Sequence, residues 1–216
     1  MTFTRFQSEK NPENPGDKKP LNALFKTDRL VFRNFQASDI RSAHRYASDP
    51  IVTRMTYWGP YDYIESEGFL QKTILRSQEN PRMFFDLAII LNDQESSRLI
   101  GGCKLHITDG GNREGEIGYY LEQQSWGKGF ATETANALLA FAFDRLDLHR
   151  IAAMCFVENR DSAHVLEKIG MQREGTLRQH RLKNGKWIDS YLFSVLDQDW
   201  QGFVRTPSRS PDRNMG

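Results

Sequence analysis

The sequence predicts a mixed α/β (α+β) fold, with one central sheet of about six or seven strands flanked by about four helices. Two observations carry this prediction. Three strand-like runs between about residues 83 and 121 follow one another through short polar connections, which makes an antiparallel meander. The segment 113–157 then reads strand, helix, strand, which favours a parallel pair with the helix crossing one face. With the flanking elements the order is β-α-α-β-β-β-α-β-α-β-β, too little alternation for a large doubly wound sheet.

Each element has its own signal. "RLVFRNF" alternates apolar Leu30 and Phe32 with Arg33 and reads as the first strand. "SDIRSAHRYASDP" is a short helix, capped by Ser38 and stopped by Pro50. "YDYIESEGFLQKTILRSQEN" spaces Ile64, Phe69, Leu70 and Ile74 at helical intervals despite Gly68. "RMFFDLAIIL" and "RLIGGCKLHI" are strands joined by the turn-forming "NDQES", and "GNREGEIGYYL" is the fourth strand. A helix over 129–146 carries Ala131, Ala135, Leu138, Ala142 and Leu146 on one stripe. "RIAAMCFVE" is apolar on both faces, hence a central strand. "DSAHVLEKIG" is a short helix started by Asp161 or Ser162 and stopped by Gly170. The last two strands form a hairpin through Asn184–Gly185, a pair suited to positive φ.

Composition bounds the function. Apolar residues at 38% and charged residues at 26% suit a soluble domain with a real core. A net charge of +1 gives no reason to expect a nucleic-acid or membrane-surface partner. The run "LLAFAF" is far too short to span a bilayer, and the N-terminus lacks the apolar core of a signal peptide. Cys103 and Cys155 sit in apolar runs, as buried thiols of a reducing, cytoplasmic compartment do. No Cys/His spacing suggests a metal site. Residues 1–20 read as a mobile arm, 21–204 as a single domain and 205–216 as a disordered tail.

The functional signal is "SWGKGFATETANALLAFAF", where Gly127 and Gly129 open a helix. Amides at a helix start carry partial positive charge and hold phosphates, and glycine lets them come close. A nucleotide P-loop does not fit, because Lys128 precedes Gly129 and the upstream glycine is missing. A dinucleotide fingerprint fits poorly, because Thr132 takes the third glycine's place and no second βαβ half exists.

"GEIGYYLEQQSWGKGFATETANALLAFAF" followed by "NRDSAHVLEKIGM" resembles the GNAT N-acetyltransferase superfamily. "TDRLVFRNFQASD" and "YWGPYDYIESEGFL" resemble the opening segments of its RimJ/RimL-like branch, which acetylates N-terminal amines of ribosomal proteins. The likeness spans about 27–200. It implies acetyl-CoA as cosubstrate, no metal, and a sheet splayed between its fourth and fifth strands to admit the pantetheine arm. The family's Q/R-x-x-G-x-G/A loop fits in two registers, starting at Gln124 or at Trp126; the second aligns the helix stripe better. In both, the amides of Gly127, Lys128, Gly129, Phe130 and Ala131 cradle the pyrophosphate, with Lys128 adding charge at the rim.

The resemblance also implies backbone contacts to the arm near Tyr119 and Leu121, and a contact from Asn159, which can equally cap a helix. Gly115 and Gly118 can bulge that strand or simply weaken it. Glu116 is the expected base for the amine. Many family members carry a tyrosine seven residues after the asparagine; Leu166 stands there, so Ser162 is the expected partner of the leaving thiolate, with Tyr119 and Tyr120 in reserve. Tyr57, Trp58 and Tyr191 are expected on the acceptor side. The acceptor is expected to be a primary amine, foremost a protein N-terminus. Asp62, Glu65 and Glu67 leave a polyamine or antibiotic open, and Leu166 leaves a CoA-binding sensor open. Either a monomer or a homodimer suits the sequence.

Overall fold

The computed structural model describes residues 23–92 and 97–200. The expected arm 1–20, the tail 205–216 and most of the turn after Asn92 lie outside the described residues. Eight strands form one sheet: β1 Ala23–Lys26, β2 Leu30–Asn34, β3 Phe84–Asn92, β4 Ser97–Asp109, β5 Glu114–Leu121, β6 Arg150–Phe156, β7 Gln172–Lys183 and β8 Lys186–Leu196. Five α-helices accompany them: α1 Ile40–Ala47, α2 Pro50–Thr53, α3 Tyr63–Arg76, α4 Phe130–Ala140 and α5 Arg160–Lys168. The spatial order is β1-β2-β3-β4-β5-β6-β8-β7, with β5 and β6 the parallel pair.

Two buried clusters fill the two sides of the sheet. One joins Leu30, Phe32, Leu87, Leu105, Ile117, Ile151 and Phe193 to Ala135, Leu138 and Leu139 of α4 and to Leu166 of α5. The other joins Val31, Ala88 and Ile90 to Tyr46 of α1 and Leu70 of α3. Alternation along each strand makes both possible, because neighbouring side chains leave the sheet on opposite faces.

The extra strand and helix relative to the sequence expectation are short. β1 is a four-residue edge with two partly buried side chains, and α2 is a single turn. Neither is long enough to show a period. Caps also move. The side chain at Ser38 caps nothing; the first turn instead uses Gln36 and Asp39, with the Asp39 carboxylate accepting from Gln36 N at 2.8 Å. Pro50 does not merely stop α1; it opens α2 behind an Asp49 cap, as the first helical turn tolerates proline. Asn159, not Asp161 or Ser162, caps α5, accepting from Ser162 N at 3.1 Å. The expected helix over 129–146 ends its α segment at Ala140 and continues as a π turn over Phe141–Arg145, where Phe141 stacks on Phe25 and Phe143 packs on Trp200.

Candidate active site

β5 and β6 pair only from Glu114–Arg150 to Ile117–Ala153. Beyond Ile117 the two strands part, and a cleft opens between Gly118–Tyr120 and Met154–Cys155. Asn159, Ser162 and Leu166 of α5 form one wall; Met55, Tyr57, Trp58, Lys104 and Glu116 form the other. The expected splay is therefore present at the expected strands. The β5 glycines do not bulge the strand there. The irregularity lies on β4 between Ile107 and Asp109, and a Cβ at Gly118 would stand 2.9 Å from Lys104 Cε. Gly118 thus clears the path of the Lys104 side chain.

At the mouth of the cleft, Gly127 (φ 72°) and Gly129 (φ 80°) hold left-handed backbone that side chains disfavour. Gly129 is the N-cap of α4, with no side chain closing the first turn. The amides that follow it keep their bonding capacity for an anion. Lys128 is exposed, Ala131 half-buried, and the Phe130 ring buried, so Phe130 has only its backbone to offer. From behind, Arg29 donates to the Lys128 carbonyl at 3.0 Å and to Glu133 at 2.7 Å, and lies 4.5 Å above the Phe130 ring. The Trp126 indole donates to the Leu121 carbonyl at 2.9 Å. That carbonyl is therefore engaged by the loop. A doubly charged phosphate group suits this cradle in charge and in clearance.

On the α5 wall, the Tyr119 hydroxyl lies 3.2 Å from the Ser162 hydroxyl. Burial pushes the Tyr119 phenol up to about 12, against a smaller opposing effect of Ser162. Leu166 is buried beside them. The two reserve tyrosines both line the cleft but leave β5 on opposite faces: Tyr119 meets Ser162, whereas Tyr120 packs on Tyr46 and Trp58 under α1 and α3. Burial also raises the Cys155 thiol to about 11, so it stays protonated at neutral pH.

The opposite wall holds an ion pair that the sequence did not reveal. Lys104 Nζ lies 2.5 Å from Glu116 Oε1 and donates to the Tyr57 hydroxyl at 2.9 Å. Burial alone would lower the lysine; Tyr57 and Glu116 outweigh it and hold the ammonium charged. The segment carrying Tyr57 and Trp58 is tied down from far along the chain. Lys183, at the end of β7, reaches the carbonyls of Thr53, Thr56, Trp58 and Gly59 at 3.0, 2.6, 3.2 and 3.4 Å. Tyr191 is not on this side. Its neighbour Ser190 faces the hollow beside Tyr57, so Tyr191 points the other way, onto the α4–α5 side of the sheet. Asp62 and Glu65 cap each other's backbone at the start of α3, at 2.8 Å each, and line neither hollow.

Among the described residues no His/Cys/Asp/Glu group could hold a metal, and no helix is long and apolar enough to cross a membrane.

Comparison with known proteins matches residues 29–172 to the acetyltransferase (GNAT) domain. An uncharacterized N-acetyltransferase p20 of Bacillus licheniformis is 33% identical over 177 residues, covering 82% of this chain and 97% of its own. The spermidine N(1)-acetyltransferase of Vibrio cholerae is 29% identical over 80% of this chain and 95% of its own. The ribosomal protein uS5-alanine N-acetyltransferase of Escherichia coli is 28% identical over 55% and 59%. The crystal structure of a GNAT acetyltransferase from Bacillus anthracis superimposes with a TM-score of 0.70 at 31% identity, over 80% of this chain and 98% of that one. A cleft between splayed parallel strands, a glycine-opened helix at its mouth, and a domain match spanning both have one source: the chain belongs to the GNAT family of acetyl-CoA-dependent N-acetyltransferases, and its relatives include the ribosomal-protein branch.

Proposed function

We propose that this protein acetylates the α-amino group of a protein or peptide N-terminus. The observation that carries the proposal is the Lys104–Glu116 pair on the acceptor wall. Acetyl transfer needs a neutral amine. An α-amine has about a tenth of its molecules neutral at pH 7, whereas a lysine-like amine has about one in a few thousand. Glu116 already accepts from the Lys104 ammonium, so part of its accepting capacity is taken before an acceptor amine arrives. It suffices for one that is nearly ready, accepting its proton directly or through water.

The amides of Gly127, Lys128, Gly129, Phe130 and Ala131 would hold the pyrophosphate, with Trp126 bracing the loop. The backbone near Tyr119 and Leu121 and the Asn159 amide would meet the pantetheine arm. The amine nitrogen attacks the thioester carbonyl carbon, the carbon–sulfur bond breaks, and the thiolate takes a proton from Ser162, resupplied through Tyr119. Both hydroxyls lie within one hydrogen bond of each other, which supports that relay. Tyr57 and Trp58 would wall the acceptor. Transfer is direct, since the protonated Cys155 thiol is a poor nucleophile.

A polyamine acceptor has the Vibrio cholerae relative in its favour. Against it, Glu116 is the single carboxylate among the residues lining the cleft, and it is paired. The test is thiol release from acetyl-CoA with a panel: peptides with free N-termini, N-terminally blocked lysine peptides, and spermidine. Fastest release with free N-termini is expected. Spermidine or blocked lysine peptides in the lead would overturn the proposal.

A further inference from the structure

The acceptor side continues past Tyr57 into a second hollow that acetyl transfer itself does not use. The two hollows share Met55, Tyr57, Met154 and Cys155. The second is bounded by His180 and Arg181 of β7 and by Ser190 of β8. Arg181 stacks with its guanidinium carbon 5.2 Å from the Tyr57 ring centroid, and Lys104 Nζ lies 5.6 Å from the same centroid. Tyr57 therefore meets two cations, Lys104 at its hydroxyl and Arg181 at its ring. Lys104 is neutralised by Glu116. Arg181, among the described residues, has no carboxylate within 4.0 Å.

His180 adds a second unsatisfied group. Its Nδ1 is buried and has no hydrogen-bond partner among the described residues. Leaving that nitrogen unpaired is unfavourable, and the half-buried residue that carries it borders the hollow. Burial and Arg181 hold this imidazole below the usual histidine range, against a smaller pull from Glu116. A neutral ring still has one N–H to donate. A planar guanidinium and a ring N–H at the edge of one hollow form a donor set for a carboxylate, which can bond both together.

We infer that the acceptor carries an anionic group within its first residues, a carboxylate held by Arg181 and His180 while the amine stands at Glu116. The inference rests on the acetyl-transfer reading and names the acceptor's chemistry. The two hollows adjoin through their shared residues Met55, Tyr57, Met154 and Cys155, and two residues of extended chain span about 7 Å. The Arg181 charge also repels a polycationic acceptor.

The test uses the full chain and acetyl-CoA with three peptides that differ only at the second residue: Ala-Asp, Ala-Asn and Ala-Lys N-termini. The aspartate peptide should show kcat/KM about tenfold above the asparagine one, the size of a charge-assisted hydrogen bond, and the lysine peptide should be slowest. Arg181→Glu should invert the order of aspartate and lysine. CoA affinity checks that the variant is folded; should it fail, Arg181→Gln should bring the aspartate-to-asparagine ratio close to one. Equal rates, or the lysine peptide in the lead, overturn the anionic subsite alone. An absence of thiol release with every acceptor overturns acetyl transfer, and the subsite falls with it.

Discussion

The loop from Ser125 to Ala131, which follows β5, and the wall around Tyr57 are built from different materials. The loop is backbone. Its chemistry comes from two positive-φ glycines and a helix start, all within seven consecutive residues. The wall is side chains drawn from four segments: Tyr57 ahead of α3, Lys104 on β4, Glu116 on β5, and Arg181 with Lys183 on β7. A shared cosubstrate can be bound by a fixed local device. An acceptor that differs between relatives needs parts that change independently.

That contrast also explains what could be read in advance. A contiguous motif is legible because spacing alone defines it; the glycines and the parallel pair were visible in the order of residues, while the splay came only from the family resemblance. The acceptor wall was not visible. Lys104 looks like any polar residue alternating along a strand, and only the sheet register sets it beside Gly118 and Glu116. Lys183 touches the carbonyl of Thr53 across 130 residues, a contact no local pattern announces. Tyr191 was expected beside Tyr57, but the pleat of β8 turns it to the other face. Tyr119 could be narrowed to one of two neighbouring tyrosines, and the strand face puts it, not Tyr120, against Ser162.

Three variants probe whether the halves are separate. The largest effect is expected from Gly129→Val. A β-branched residue at φ 80° strains the turn, and its added carbons crowd Arg29, whose Nη2 stands 3.4 Å from a Cβ at that position. CoA affinity measured by calorimetry should fall by tenfold or more, about 1.4 kcal/mol. Unchanged affinity would refute the backbone cradle. An intermediate effect is expected from Lys183→Met, which removes the ammonium from four carbonyls. The acceptor KM should rise several-fold, in the range of about 1 kcal/mol, while CoA affinity holds. An equal loss of CoA affinity would break the division between the halves.

At neutral pH the smallest effect is expected at the boundary, from Tyr119→Phe, whose contribution emerges only in alkaline solution. The phenol is raised from 10.0 to about 12 in the folded state. The fold thus keeps that proton where the unfolded chain releases it. The associated stability is whole below about pH 10 and is lost as pH rises toward 12, roughly 2–3 kcal/mol in all. Thermal melts from pH 9 to 11.5 should show a shallower alkaline decline in the variant than in the parent. Identical declines would assign the alkaline loss to other groups.

The two cysteines carry a practical consequence. Cys103 and Cys155 are 1% and 7% exposed, and burial raises both thiols well above neutral pH. A thiol reagent added to the folded protein therefore reacts slowly, and most slowly with Cys103, because Cys155 lines the cleft. The free CoA that each turnover releases is read against a low background, set by an enzyme-only control. Once the fold opens, the same reagent counts two thiols per chain, so one tube reports first on catalysis and then on unfolding.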